Sequence, residues 1–335
     1  MQGFWPRSLW TSKFKGLLLI FVGLLLTGGV HAEGKLFAIV SKNLNDINFI
    51  NAWQGCQEEA EKNGDTCKHV GEPEFPHFRI QDSVISQVLE EPVDGIAVSV
   101  LNSEYLASHS LKLAYEKKLP VVTFDSDLEP QHQYLRKAYI GPDNKAFGHN
   151  LAREAKRYRP EGGNVCLMSG AVFDPNLNNR IQGIREELSG DSAWDRKRKL
   201  DGQNGWSEPD RCPWYNWDNY ERALQQMWEA IYRSEINVFI SVGAWPVSNP
   251  TLYQDVMSPA RQLFLEAKGK IVVVGIGTPE AAHEALLEKQ YVHAYVAIDF
   301  REMGRLTYEN LKKLSEGEEI PEWTWTNNRV HRWDD

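Results

Sequence analysis

What the chain lacks narrows its function before any motif is found. Positive charge is in deficit: 37 Lys and Arg stand against 46 Asp and Glu, a formal net charge of −9. A surface of that sign repels a phosphate backbone, so no nucleic-acid partner is expected. The nine histidines are scattered and the four cysteines include no Cys-x-x-Cys, so the sequence offers no zinc site. No Walker loop or Gly-x-Ser-x-Gly elbow occurs. Gly275-Ile276-Gly277 begins a dinucleotide fingerprint, but Glu280 stands where its third glycine belongs. No cofactor and no metal are therefore expected. Gly/Ser linkers and low-complexity runs are missing too.

Long apolar runs are equally scarce. One stretch, 17–26, is continuously apolar but for Gly23, and it is too short to span a bilayer comfortably. It follows Arg7, Lys13 and Lys15 with no acid among them, and precedes Val30-His31-Ala32, with small residues at the −3 and −1 positions. This pattern is a secretory signal peptide over 1–32, cleaved after Ala32. An uncleaved anchor is the alternative reading. No cysteine adjoins the cleavage point, which argues against a lipid anchor there. Cleavage leaves about 300 residues, long for one core and suited to two domains.

Export places the four cysteines in an oxidising compartment. Cys56 lies in a predicted helix and Cys67 opens the next predicted strand, which favours a local Cys56–Cys67 bridge. Cys166 sits in an apolar strand, where a free buried thiol is common, so its pairing with Cys212 stays open.

From residue 35 the pattern alternates. Strands are predicted at 35–41, 66–70, 94–100, 119–124 and 138–141, with helices at 49–62, 78–89 and 103–118 between them. A second series has strands at 164–169, 237–242, 270–276 and 291–298 and helices at 144–158, 176–188, 220–233, 279–288 and 301–314. Residues 246–268 read as partly helical, and a polar, Trp-rich insert covers 191–218. Such alternation implies an α/β chain with parallel sheets covered on both faces. Two doubly wound halves joined without a linker suggest a hinge and a cleft.

The stretch 119–127, Leu-Pro-Val-Val-Thr-Phe-Asp-Ser-Asp, is central to the reading. A short buried strand ends abruptly in Asp125 and Asp127. Ligands of open α/β sheets bind beyond the carboxyl ends of strands, where such acids accept hydrogen bonds from a polar guest. The plainer reading is two solvated loop acids. A glycosidase pair is a weak third, because residues two apart at a strand end point in different directions.

Over residues 36–325 the chain resembles the type I periplasmic binding proteins of the ribose/galactose-binding group. The resemblance is carried by the opening segment 37–49, Val93-Asp94-Gly95-Ile96, the strand 119–127, Tyr139-Ile140-Gly141-Pro142-Asp143-Asn144, Arg180-Ile181-Gln182-Gly183 and the strand 272–275. It implies two lobes joined by a three-crossing hinge, 33–141 plus 299–322 and 142–298 plus 323–335. It also implies a monomer in the periplasm that closes on a sugar or sugar-like molecule. A membrane permease, or a sensor kinase or chemoreceptor, would then read the closed form. By position, Asp46 and Phe49 fall where the first loop meets ligand, Asp125 with Ser126 or Asp127 where an acid clamps hydroxyls, and Arg180 where a base crosses the cleft. Asp299, or its neighbour Ile298, falls at the second hinge crossing. A carboxylate and a guanidinium suit a sugar hydroxyl, which can donate to one and accept from the other.

Two departures bear on the ligand. Gly243-Ala244-Trp245 stands where the group often has Asn-Asp, and Gly277 stands near a usual Asp. Trp245 would then supply an aromatic face. Among Trp206, Trp214, Tyr215, Trp217 and Tyr220 of the insert, one or two rings, Trp206 foremost, are expected against the ligand, although packing of the loop on its own lobe is the simpler use. A DNA-binding regulator shares this fold but needs a helix-turn-helix, and none precedes Lys35.

Overall fold

The computed structural model describes residues 34–335 apart from Phe75, Ser234 and Ala267, so the leader expected at 1–32 lies outside the described residues. The first sheet is built from β1 (Leu36–Val40), β2 (Thr66–Val70), β3 (Gly95–Val98), β4 (Val121–Phe124) and β5 (Ala138–Gly141), linked by α1 (Ile47–Glu61), α2 (Phe78–Val88), α3 (Ser103–Ser108) and α4 (Ser110–Glu116). The central strands β3, β4 and β5 are buried along their whole length, which is why they read as continuous apolar runs rather than alternating ones.

The second sheet begins after α5 (Asn144–Tyr158) with β6 (Gly163–Ser169) and α6 (Pro175–Ser189). The insert follows as three short strands, β7 (Asp201–Gln203), β8 (Trp206–Ser207) and β9 (Trp214–Tyr215). Then come α7 (Tyr220–Tyr232), β10 (Val238–Ser241), α8 (Pro250–Met257), α9 (Arg261–Leu265), β11 (Ile271–Ile276), α10 (Ala281–Glu288) and β12 (Ala294–Ile298). The chain returns through α11 (Phe300–Ser315), which packs on α1, to β13 (Trp323–Trp325), and finishes in β14 (Asn328–Arg332).

The sheet orders are β13-β5-β4-β3-β1-β2 and β14-β12-β11-β10-β6-β8-β7, with β9 also on β6. All pairings are parallel except β12–β14 and β7–β8. The chain therefore passes between the sheets three times. One sequence boundary is corrected. Residues 323–325, assigned to the second half, pair with Tyr139–Gly141 of the first sheet, so the last passage falls at Thr326–Asn327. Trp323 and Trp325 stack on each other and edge onto Tyr139, which holds this strand there.

Glycine lets the helices of each half cross closely. A Cβ on Gly304 would lie 1.7 Å from the Ala52 carbonyl oxygen of α1, and one on Gly183 would lie 2.1 Å from that of Lys145 in α5. The glycine of the Arg-x-x-Gly motif thus seats α6 on α5, with Arg180 one turn earlier. The helix expected over 103–118 breaks at His109. Its ring donates from Nδ1 to the Tyr105 carbonyl and its backbone N–H turns to Leu106. Two disulfides staple the fold: Cys56–Cys67, as expected, and Cys166–Cys212, which the sequence left open and which ties the insert to β6.

Candidate functional site

The carboxyl ends of the strands of both sheets border one cleft. It encloses ≈ 1100 Å³ of empty space, part of it open to solvent. Each wall comes from the turn just after a strand: Lys42 and Asp46 after β1, Asp125 after β4, Asp174 after β6, Trp245 after β10, Gly277 and Thr278 after β11. This is where an open α/β sheet binds ligands.

Asp125 is the pivot. It is 3 % exposed, and its φ of +58 lies in the left-handed region that Asp tolerates better than most residues. That turn aims its carboxylate across the cleft. Oδ2 accepts from Ser99 Oγ in its own half and from Asn176 Nδ2 in the other, each at 3.1 Å. Oδ1 lies 3.4 Å from Arg180 Nη2. The turn itself is held by Tyr139 and Asn144, which donate to the Asp125 carbonyl.

Arg180 is fixed from behind. Nε donates to Asn144 Oδ1 at 2.8 Å, Nη1 to the Val242 carbonyl at 2.9 Å, and the guanidinium lies 4.4 Å over the Phe147 ring. With Asp125 as third partner, three of its five N–H donors are engaged. Lys42 also reaches across the cleft. Its Nζ donates to Asn176 Oδ1 at 2.9 Å and lies 3.4 Å from Asp174 Oδ2.

Acids dominate the rest of the wall. Asp174 caps no backbone N–H of α6, is 1 % exposed, and its Oδ1 has no hydrogen-bond partner. Burial pushes its carboxyl up to about 7, against the pull of Lys42, and the charges of Asp218 and Asp125 add to the rise. Asp46 caps α1 by accepting from the Asn48 N–H at 2.8 Å. Its withdrawal from water in the cleft, with Asp218 and Asp125 facing it, pushes it up to about 6. Asp218 is raised by burial as well, and accepts from Trp245 Nε1 at 2.7 Å. The Tyr220 hydroxyl is raised by burial and by the charges of Asp46 and Asp218.

Of the expected residues, Asp46, Phe49, Asp125, Arg180 and Trp245 line this cleft. Four lie elsewhere. Ser126 is fully buried and donates to the Val100 carbonyl. Asp127 turns away from Asp125: it takes both Nε and Nη2 of Arg136 at 2.8 Å and accepts from Thr123 Oγ1 and Gln133 Nε2, so the two acids are not a facing pair. Trp206 is core, because β8 pairs with Gly163 and Asn164 at the amino end of β6, away from the cleft. Asp299 is exposed and caps α11 through the Glu302 N–H, while the next residue, Phe300, lines the cleft. Of the other rings grouped with the insert, Trp214, Tyr215 and Trp217 do not reach the cleft wall, whereas Tyr220, at the start of α7, does.

The sequence reading missed Lys42, Asp174, Asn176 and Asp218. The first three carry a local signal, since each directly follows a strand or starts the helix after it. Asp218 carries none. It arrives because β9 pairs with Met168 and Ser169 at the carboxyl end of β6, and the Asn216 and Trp217 N–H groups continue that ladder onto the Ser169 and Gly170 carbonyls.

Comparison with known proteins agrees with this architecture. Residues 37–319 match the family described as periplasmic binding protein domain. No curated protein matches the sequence significantly. Among solved structures, the glucose-galactose binding protein GanP of Geobacillus stearothermophilus aligns with TM-score 0.73 at 19% identity, over 90% of this chain and 99% of that one. An ABC transporter solute binding protein of Burkholderia graminis in complex with D-arabinose aligns with TM-score 0.75 at 21% identity, over 90% and 96%. The structure titled XylFII-LytSN complex aligns with TM-score 0.70 at 17% identity, over 90% and 99%.

Proposed function

Because the chain belongs to the type I periplasmic binding proteins, we propose that it is an exported solute-binding protein that captures a sugar or sugar-like molecule between two lobes and delivers it to an ABC transporter permease. The observation that carries this reading is the contact of both halves across one polar cleft: Asp125 of the first meets Asn176 and Arg180 of the second. These bonds form only when the lobes are together, so closure and ligand contact favour each other. The lobes divide at the three passages between the sheets, around 141–144, 298–300 and 325–328. The ligand stands among carboxylates that accept from its hydroxyls, with Trp245 and Phe49 presenting ring faces. The solved relatives carrying sugars support this ligand class. The chemistry is binding rather than catalysis; the family supports an exported protein, and a periplasmic monomer is part of the same proposal.

A second reading has a specific observation behind it. The similar XylFII fold occurs in a complex with LytSN. In that reading the loaded protein docks on a membrane sensor. Both readings share the capture step, which a thermal-shift and calorimetric screen over pentoses, hexoses, polyols and amino acids tests. A sugar that raises Tm and binds one-to-one supports capture, and a screen in which only amino acids bind refutes it. Pull-down of loaded protein with membranes holding either a permease or a kinase separates the two destinations.

A further inference from the structure

The wall of the cleft carries more negative charge than its own cations can balance. Asp46, Asp125, Asp174, Asp218 and Glu280 face Lys42 and Arg180, and burial holds His283 of the same wall toward its neutral form. Arg180 is already held by Asn144, Val242 and Asp125, and Lys42 by Asn176 and Asp174. Asp218 has Trp245 Nε1 as its neutral donor and Asp46 has the Asn48 N–H. Among the oxygens of these acids that are shut off from water, Asp174 Oδ1 has no donor, and it sits on a residue 1 % exposed that lines the cleft. A buried carboxylate oxygen without a donor is costly, and its chemistry is definite. It accepts a hydrogen bond, and an ionised donor satisfies it best.

A neutral sugar would offer hydroxyl donors but leave the charge unbalanced. An amino acid would bring a carboxylate among these acids while both cations are engaged. Among the described residues no three His, Cys, Asp or Glu side chains are grouped to hold a metal ion, so the acids are spread along the wall and suit a larger, organic cation. Resting on the sugar-capture reading, we infer that the cleft selects a sugar bearing a protonated amine, with the ammonium on Asp174 Oδ1 and within the field of Asp46 and Asp218. Burial raises Asp174 and Asp46 toward neutrality and the neighbouring carboxylates add to the rise, whereas a bound ammonium opposes it.

The test is calorimetry at about pH 7 on the full secreted chain. The probes are D-glucosamine, D-galactosamine and D-mannosamine, each against its neutral parent hexose and its N-acetyl derivative. At least one free amine should bind about tenfold or more tighter than both of its counterparts, a gap that Asp174→Asn closes. Asp218→Asn, which should narrow the same gap, serves if the first variant does not fold. A neutral or N-acetylated sugar binding as tightly as its amine overturns the inference and leaves sugar capture standing. A preference that survives both substitutions also overturns it. Binding of none of these sugars overturns the inference and, with the wider screen silent, the capture reading as well.

Discussion

Replacing Asp125 with Asn tests how the two halves are held. Asn tolerates the left-handed backbone at φ +58, so the turn survives and chiefly the charge is lost. The substitution leaves Arg180, 5 % exposed, without its counter-ion, and lets one amide oxygen serve either Asn176 or Arg180 but not both as before. Removing one member of a buried ion pair costs about 3–5 kcal/mol. Here the pair is 3.4 Å apart and Arg180 keeps Asn144 and Val242. The retained acceptor reduces the loss further, to about 2–3 kcal/mol. Those contacts join the halves, so the loss falls on the closed form rather than on the folding of either lobe. Sugar affinity should drop about 30- to 150-fold, while the unfolding temperature of the free protein stays near wild type. X-ray scattering should show a more extended ligand-free particle. Asp125→Ala separates backbone from charge. It adds the left-handed penalty of about 1–2 kcal/mol in every folded form, and so lowers Tm as well. An Asn variant that binds within threefold of wild type, with unchanged scattering, refutes the role given to Asp125.

The buried acids give stability a pH slope. Asp174, raised to about 7 in the folded protein from an ordinary value of 3.8, binds its proton more tightly folded than unfolded. Stability from this group is therefore full below about 4 and is lost as pH rises to about 7. Melting curves from pH 4.5 to 8 should show that fall, and Asp174→Asn should flatten it. The Cys166–Cys212 bridge spans 46 residues, and its loss in a double Ser variant should cost about 4 kcal/mol by loop closure, read by denaturant titration. Gly183→Ala drives a Cβ against the Lys145 carbonyl. It should cost about 1–3 kcal/mol and weaken binding by moving Arg180, whereas free refolding with normal affinity would show that α5 and α6 need no close crossing. Ligand should change the fluorescence of wild type but not of Trp245→Phe, while Trp206→Phe keeps the response because that ring is core.

Much of the fold was legible because its signals are local. Buried strands 4–7 residues long, each followed by an amphipathic helix, leave few arrangements other than parallel sheets. The cleft side was legible for the same reason, since ligand groups follow the carboxyl ends of parallel strands. Asp125 was found this way and Arg180 through the resemblance of its Arg-x-x-Gly helix, and the two meet. Asp127 shows the limit. Two residues past Asp125, it is chemically identical, yet Thr123 of the preceding strand and Arg136 take up both of its oxygens, a choice that residue type alone does not reveal.

The amino-acid order by itself determined the α/β alternation, the halves, the acid-ended strand and the Arg-x-x-Gly helix, since each depends on contacts a few residues apart. Only the tertiary structure decided which acids share the cleft, that Trp206 packs inward while Asp218 reaches the cleft wall, that Cys166 pairs with Cys212, and that residues 323–325 return to the first sheet. Each of those outcomes is a pairing between distant segments. Strand register and the burial of a polar group depend on what lies opposite in space, and no local pattern carries that information.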